Sequence, residues 1–161
     1  MIEIYTDGAA IGNPGRGGYG IIMCYKGKCK EFSAGFRNTT NNRMELLAVI
    51  VALESLKTKD IPIKIYSDSK YVVDSISKNW IFSWEKKGFS KKKNPDLWKR
   101  YLKLHRQLNI QFEWVKGHNG HPQNERCDVL AVEAANSSKL SIDEYYEQYQ
   151  NSADNNLLSE D

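Results

Sequence analysis

The chain has 161 residues, 40% of them hydrophobic and 27% charged, which suits one packed domain and excludes global disorder. No apolar run reaches the ~18–20 residues of a membrane span, Met1-Ile2-Glu3-Ile4 carries no secretory signal, and three cysteines without a C-x-x-C argue against a disulfide scaffold or zinc ribbon, so a soluble cytoplasmic protein is expected. The net charge of +3 hides an asymmetry: residues 137–161 carry −5, and residues 78–106 hold ten Lys/Arg against Glu85 and Asp96, the footprint of a polyanion partner or of a solvated face.

Residues 2–6 alternate as a strand, and residues 8–20, with six glycines and Pro14, read as a turn-rich connection. Residues 19–25 and 28–36 form two more strands around a Lys26-Gly27 turn. That turn sets Cys24 opposite Cys29, expected as packing residues in a reducing compartment. Residues 42–56 form a helix with Glu45, Val49, Ala52, Leu53 and Leu56 on one face. A strand at 63–67, helical pieces over 70–84, a basic loop at 88–95, a helix at 96–108, a strand at 110–116, a Gly/His loop and a helix at 124–135 follow. The order βββαβααβα predicts an α/β fold: a mixed five-stranded sheet with helices on both faces. The domain is expected to span 1–136. The acidic tail 137–161 is expected to be largely disordered, with Tyr145, Tyr146 and Tyr149 available for local docking.

Two strands echo each other. Ile4-Tyr5-Thr6-Asp7-Gly8 and Ile65-Tyr66-Ser67-Asp68-Ser69 each place an Asp at a strand's C-terminal end. As parallel neighbours they bring both carboxylates to the edge where open α/β sheets bind ligands. Glu45 heads an apolar stripe and so faces the sheet, and Asp128 lies early in the last helix. Four converging carboxylates need neutralisation, and hard oxygen donors without nearby thiols point to Mg²⁺ or Mn²⁺. Two such ions ~3.5–4 Å apart suit phosphodiester chemistry. Each acid also has a plain reading: Asn42 and Glu45 as a capping box, Asp7 and Asp68 as turn formers, Asp128 as a helix-dipole partner. His118 suits a proton shuttle, and His121 suits a solvent histidine. Zinc binding by His118, His121 and Cys127 matches no common spacing.

These residues carry a resemblance. Tyr5-Thr6-Asp7-Gly8 with Gly12-Asn13-Pro14-Gly15, the run from Thr39 to Leu46, Tyr66-Ser67-Asp68-Ser69, and Trp114-Val115-Lys116-Gly117-His118 continuing to Asp128 are similar to the bacterial type 1 ribonuclease H family from Ile2 to about Ala135. The resemblance implies hydrolysis of the RNA strand of RNA–DNA hybrids by two divalent metals, leaving 5′-phosphate and 3′-hydroxyl ends. It implies Asp7, Glu45, Asp68 and Asp128 as metal ligands and His118 as a mobile histidine. Asn13, Asn41 and Asn42 match groove-reading positions, and Thr40 and Asn94 match a DNA-phosphate pocket. Trp80, Trp84, Lys86, Lys87 and the loop to Lys93 resemble the basic protrusion, while Trp98 and Trp114 suit core packing.

Lys70 stands where close relatives often carry Gln, which implies a phosphate contact in place of a groove hydrogen bond. The basic loop is shorter than in the best-known members, the acidic tail has no counterpart, and no separate N-terminal hybrid-binding module is expected. A monomeric hydrolase is the expectation. The alternatives are a non-catalytic hybrid-binding module and a resolvase- or integrase-like nuclease on the same fold.

Overall fold

The computed structural model describes residues 1–151. Five long strands, β1 (Ile2–Ala10), β2 (Gly15–Tyr25), β3 (Lys28–Thr39), β4 (Ile63–Ser67) and β5 (Ile110–Trp114), are joined by a short β6 (Leu140–Ser141). They form one mixed sheet in the order β5-β4-β1-β2-β3-β6. The predicted meander β1-β2-β3 is antiparallel, and β1-β4-β5 are parallel. The sheet thus has six strands rather than five. β1 and β2 are longer than expected, because the glycines at 8, 15, 17, 18 and 20 lie within the strands and only residues 11–14 turn.

Alternation along β1 and β2 separates two layers. Ile2, Ile4 and Ile21 pack on one face with α1 (Asn41–Glu54), α2 (Lys70–Ser77), α3 (Trp80–Lys86) and α4 (Pro95–His105). Tyr5 and Ile22 pack on the other with Cys127 and Leu130 of α5 (Pro122–Ala135). α1 is buried nearly all round, from Arg43 to Ile50, because sheet and α4 cover it from different sides. α5 lies very close to β2. A Cβ on Gly20 would sit 2.3 Å from the Cys127 carbonyl oxygen, so only glycine admits the helix here.

Two expectations need correction. Cys24 and Cys29 are paired across the hairpin as expected, but as a disulfide rather than as separate packing residues. The tail is folded over residues 140–150, as β6 and a π-helical turn at Tyr146–Gln150. Its hold is polar. Asp143 takes two hydrogen bonds from the buried Arg43 guanidinium at 2.7 and 2.9 Å and one from Thr39 Oγ1 at 2.7 Å. Arg37 grips Glu147, and Arg16 donates to the Ala135 and Ser137 carbonyls. Tyr146 is fully buried, Tyr145 lies over Arg43, and Tyr149 is exposed. The part of the tail expected to be disordered beyond Asn151 lies outside the described residues.

Candidate active site

β1 and β4 run parallel with Tyr5 opposite Tyr66 and Thr6 opposite Ser67. The two tyrosine rings stack at 4.8 Å, and two residues on, Asp7, still paired with Gly20 of β2, and Asp68, just past the end of β4, come side by side. α1 crosses this edge closely. A Cβ on Gly8 would lie 2.4 Å from the Glu45 backbone nitrogen, and that contact sets Glu45 against Asp7. One carboxylate oxygen from each of Asp7, Glu45 and Asp68 lies within 4.8 Å of the others. Asp128, on the second turn of α5, joins them in lining a cavity of about 420 Å³.

The cluster is costly without a counter-charge. Asp7 and Glu45 are each only 4% exposed. Burial, then the charge of Asp68, pushes the Asp7 carboxyl up to about 8, against the pull of hydrogen bonds with Glu45 and the Gly8 N–H. Glu45 is also pushed well up, by burial and then by the charges of Asp7 and Asp68. Glu45 Oε2 is buried without a hydrogen-bond partner. Hard, anionic, under-satisfied oxygen donors are what a divalent cation requires, so the residues fit one.

The capping-box reading of Glu45 fails: Thr40 caps α1, its hydroxyl accepting from the Arg43 N–H, and Glu45 points into the cavity. His118, in a left-handed backbone conformation, lines the cavity, whereas His121 caps α5 through Nδ1 and packs against Tyr5 and Tyr66. Cys127 is buried with its thiol donating to the Tyr5 carbonyl, away from any zinc role.

Beside the acids, Asn41, Asn42 and Lys70 line the same cavity. Asn13 stands next to this lining, its side-chain oxygen accepting from the Asn41 N–H at 2.9 Å. Thr40 is half-buried at the start of α1. Asn94 is not at a surface with it. It is 2% exposed; its Oδ1 accepts from Gln150 and Arg43, its amide donates to Tyr71, and its backbone N–H donates to Gln150. Among the tryptophans, Trp80 is 44% exposed, while Trp84 packs edge-on against the fully buried Trp98. Trp114, expected in the core, is 41% exposed beside Asp68. Lys86 ends α3 and Lys87 caps it. Lys78 lies over Trp80 and Lys92 over Trp84, so the protrusion interleaves cations with rings. The burial of Asn94 and the role of Gln150 carry no local sequence signal.

A mixed α/β sheet whose parallel centre ends in a metal-competent acidic cavity beside basic surface defines a nuclease-type hydrolase. The RNase H family model matches residues 1–136. A ribonuclease H of Desulforamulus reducens is 58% identical over 147 residues, covering 88% of this chain and 92% of the relative. One of Rippkaea orientalis is 51% identical over 151 residues, covering 91% and 92%. The crystal structure of LC9-RNase H1, a type 1 RNase H with the type 2 active-site motif, superposes with a TM-score of 0.77 at 28% identity over 94% of this chain and 83% of that one. LC11-RNase H1 in complex with RNA/DNA hybrid superposes at 0.64 with 30% identity over 84% and 97%. The chain belongs to the RNase H family and is an enzyme of it. Among the described residues, no helix is long and apolar enough to cross a membrane.

Proposed function

We propose that the protein is a monomeric cytoplasmic endonuclease that hydrolyses the RNA strand of RNA–DNA hybrids with two divalent ions, leaving 5′-phosphate and 3′-hydroxyl ends. The observation that carries this reading is the convergence of Asp7, Glu45 and Asp68 within 4.8 Å around a buried, unpartnered Glu45 oxygen. Binding of hybrid by the LC11 neighbour supports the choice of duplex.

Asp7, Glu45, Asp68 and Asp128 hold the ions, Mg²⁺ or Mn²⁺, which when bound supply the Lewis acidity that activates water and neutralises charge on the phosphate. The asparagine ridge of Asn13, Asn41 and Asn42 presents amides to the groove of a hybrid, where 2′-hydroxyls distinguish RNA from DNA. Thr40, Lys70, Trp80, Lys86 and Lys87 hold the backbones. Trp84 acts from below, as the packed floor of the protrusion. Asn94 belongs to the scaffold instead of the substrate contacts. His118, on its loop at the cavity mouth, carries the proton to the departing 3′-oxygen and helps product leave.

Labelled RNA–DNA, RNA–RNA and DNA–DNA duplexes incubated with Mg²⁺ or with EDTA test this. Cleavage of RNA in the hybrid alone, abolished by EDTA, is expected. Hybrid binding without cleavage would establish a binding module instead.

A further inference from the structure

Trp114 is the last residue of β5, opposite Ser67 of β4, and its large ring stays 41% exposed. Two contacts account for its place. Its indole Nε1–H donates to the Asp68 carbonyl at 3.1 Å. Its ring face receives the Lys70 ammonium, 4.6 Å from the ring centroid. One side chain thus touches both ends of the turn Asp68-Ser69-Lys70, the turn that leaves β4, carries one of the clustered acids and starts α2. The next residue strengthens the same junction, the Val115 N–H donating to the Ser67 carbonyl at 2.9 Å.

The contact with Lys70 has an electrostatic consequence. Lys70 lines the cavity together with Asp68 and Asp128. A lysine there, on a flexible four-carbon stem, would by default fold onto the acids and compete with any divalent cation. Seated on an aromatic face, the ammonium is turned toward the ring rather than paired with an acid, and its donors stay available to a substrate phosphate. Among the described ion pairs, Lys70 has none with an acid.

We propose that Trp114 is a positioning residue of the active site: it fixes the turn carrying Asp68 through its indole N–H, and its ring holds Lys70 at the cavity rim as a cation for a substrate phosphate. This rests on the hybrid-nuclease reading above.

The test uses full-length Lys70→Ala, Trp114→Phe, Trp114→Leu and the double variant Lys70→Ala/Trp114→Leu. Hybrid affinity is measured against salt in EDTA, and kcat and KM are measured with Mg²⁺. Lys70→Ala should weaken binding and lower the salt slope by roughly 0.7–0.9, one phosphate contact. Trp114→Leu should weaken binding similarly, and the double variant should bind no more weakly than Lys70→Ala, because ring and cation act as one unit. Trp114→Phe keeps a ring but not the N–H. It should retain most of the salt slope and lose kcat by about threefold or more, with KM changed less. Additive losses in the double variant, a full kcat in Trp114→Phe, or kcat losses that only follow the folded fraction seen in thermal melts would overturn the proposal. A wild type that binds hybrid without cutting it would remove the nuclease reading and, with it, the kcat role of Trp114. The salt slopes would still decide the Lys70 pairing. A wild type that binds no hybrid would end both.

Discussion

Glu45 keeps one oxygen buried and unpartnered, and Asp7 beside it is as deeply buried. Such groups lower the stability of the metal-free protein, and the direction with pH follows from linkage. Both carboxyls hold their protons to higher pH when folded than in the open chain, Asp7 up to about 8 from an ordinary 3.8. The folded state therefore binds more protons, and stability falls as pH rises from about 4 toward the folded values. In EDTA, Asp7→Asn should melt higher than wild type near pH 8, with the gap closing toward pH 4. Thermal melts across that range check this, and a variant less stable at pH 8 would contradict it. The two loop histidines should separate just as clearly. His118→Ala should slow turnover while hybrid affinity holds. His121→Ala loses the cap on α5 and should cost about 1 kcal/mol of stability, read by denaturant titration, with a smaller effect on turnover.

Two charged segments of the chain divide the labour unequally. The segment from α3 to α4 is strongly basic, yet Arg100 and Arg106 are paired with Glu54 and Glu85. Lys86 and Lys87 at the end of α3 and Lys91 in the loop after it are exposed and face solvent. Replacing Lys86, Lys87 and Lys91 together with Ala should weaken hybrid binding and flatten its salt dependence by roughly 0.7–0.9 per lost phosphate contact. Fluorescence anisotropy over a salt series measures this, and an unchanged slope would make the segment a solvated face. The strap at 140–150 has the opposite character. It closes over Arg43, whose guanidinium is buried and bridges Asp96 and Asp143. Asp143→Ala leaves Asp96 as the only carboxylate on that guanidinium and takes the acceptor from the Thr39 hydroxyl, and buried donors left without a partner cost about 1–3 kcal/mol. Its Tm should fall sharply. A loss within a degree would show that the strap is dispensable, which is what an expectation of disorder after Ser137 implies.

The molecule as a whole is a sheet with an acidic cavity where its parallel centre meets α1 and α5. That much was legible in the sequence. The echo Ile-Tyr-Thr-Asp and Ile-Tyr-Ser-Asp is a local pattern whose parity dictates a shared face once the strands are parallel, and Glu45 at the head of an apolar stripe has only one direction to point. What stayed hidden depends on contacts distant in sequence. Arg43 and Asp143 are 100 positions apart, and Asn94 and Gln150 are 56 apart. No local pattern announces either pair, so Asn94 looked like a surface amide and the tail like a loose one. Trp114 looked like core because aromatic strand residues usually are; only the pairing of β4 with β5 reveals that its ring serves the Asp68 turn. Register sets Cys24 opposite Cys29, but nothing local in the sequence announces the bond between them.

The most direct measurement is the rate of RNA-strand cleavage by Asp7→Asn at saturating RNA–DNA hybrid and Mg²⁺, set beside its hybrid affinity in EDTA. Removing one charge from the carboxylate cluster should cut the rate by about two orders of magnitude or more, while the hybrid binds at least as tightly as to wild type. A variant that binds the hybrid and still cleaves it at half the wild-type rate would show that the cluster of Asp7, Glu45, Asp68 and Asp128 is not the site of the chemistry.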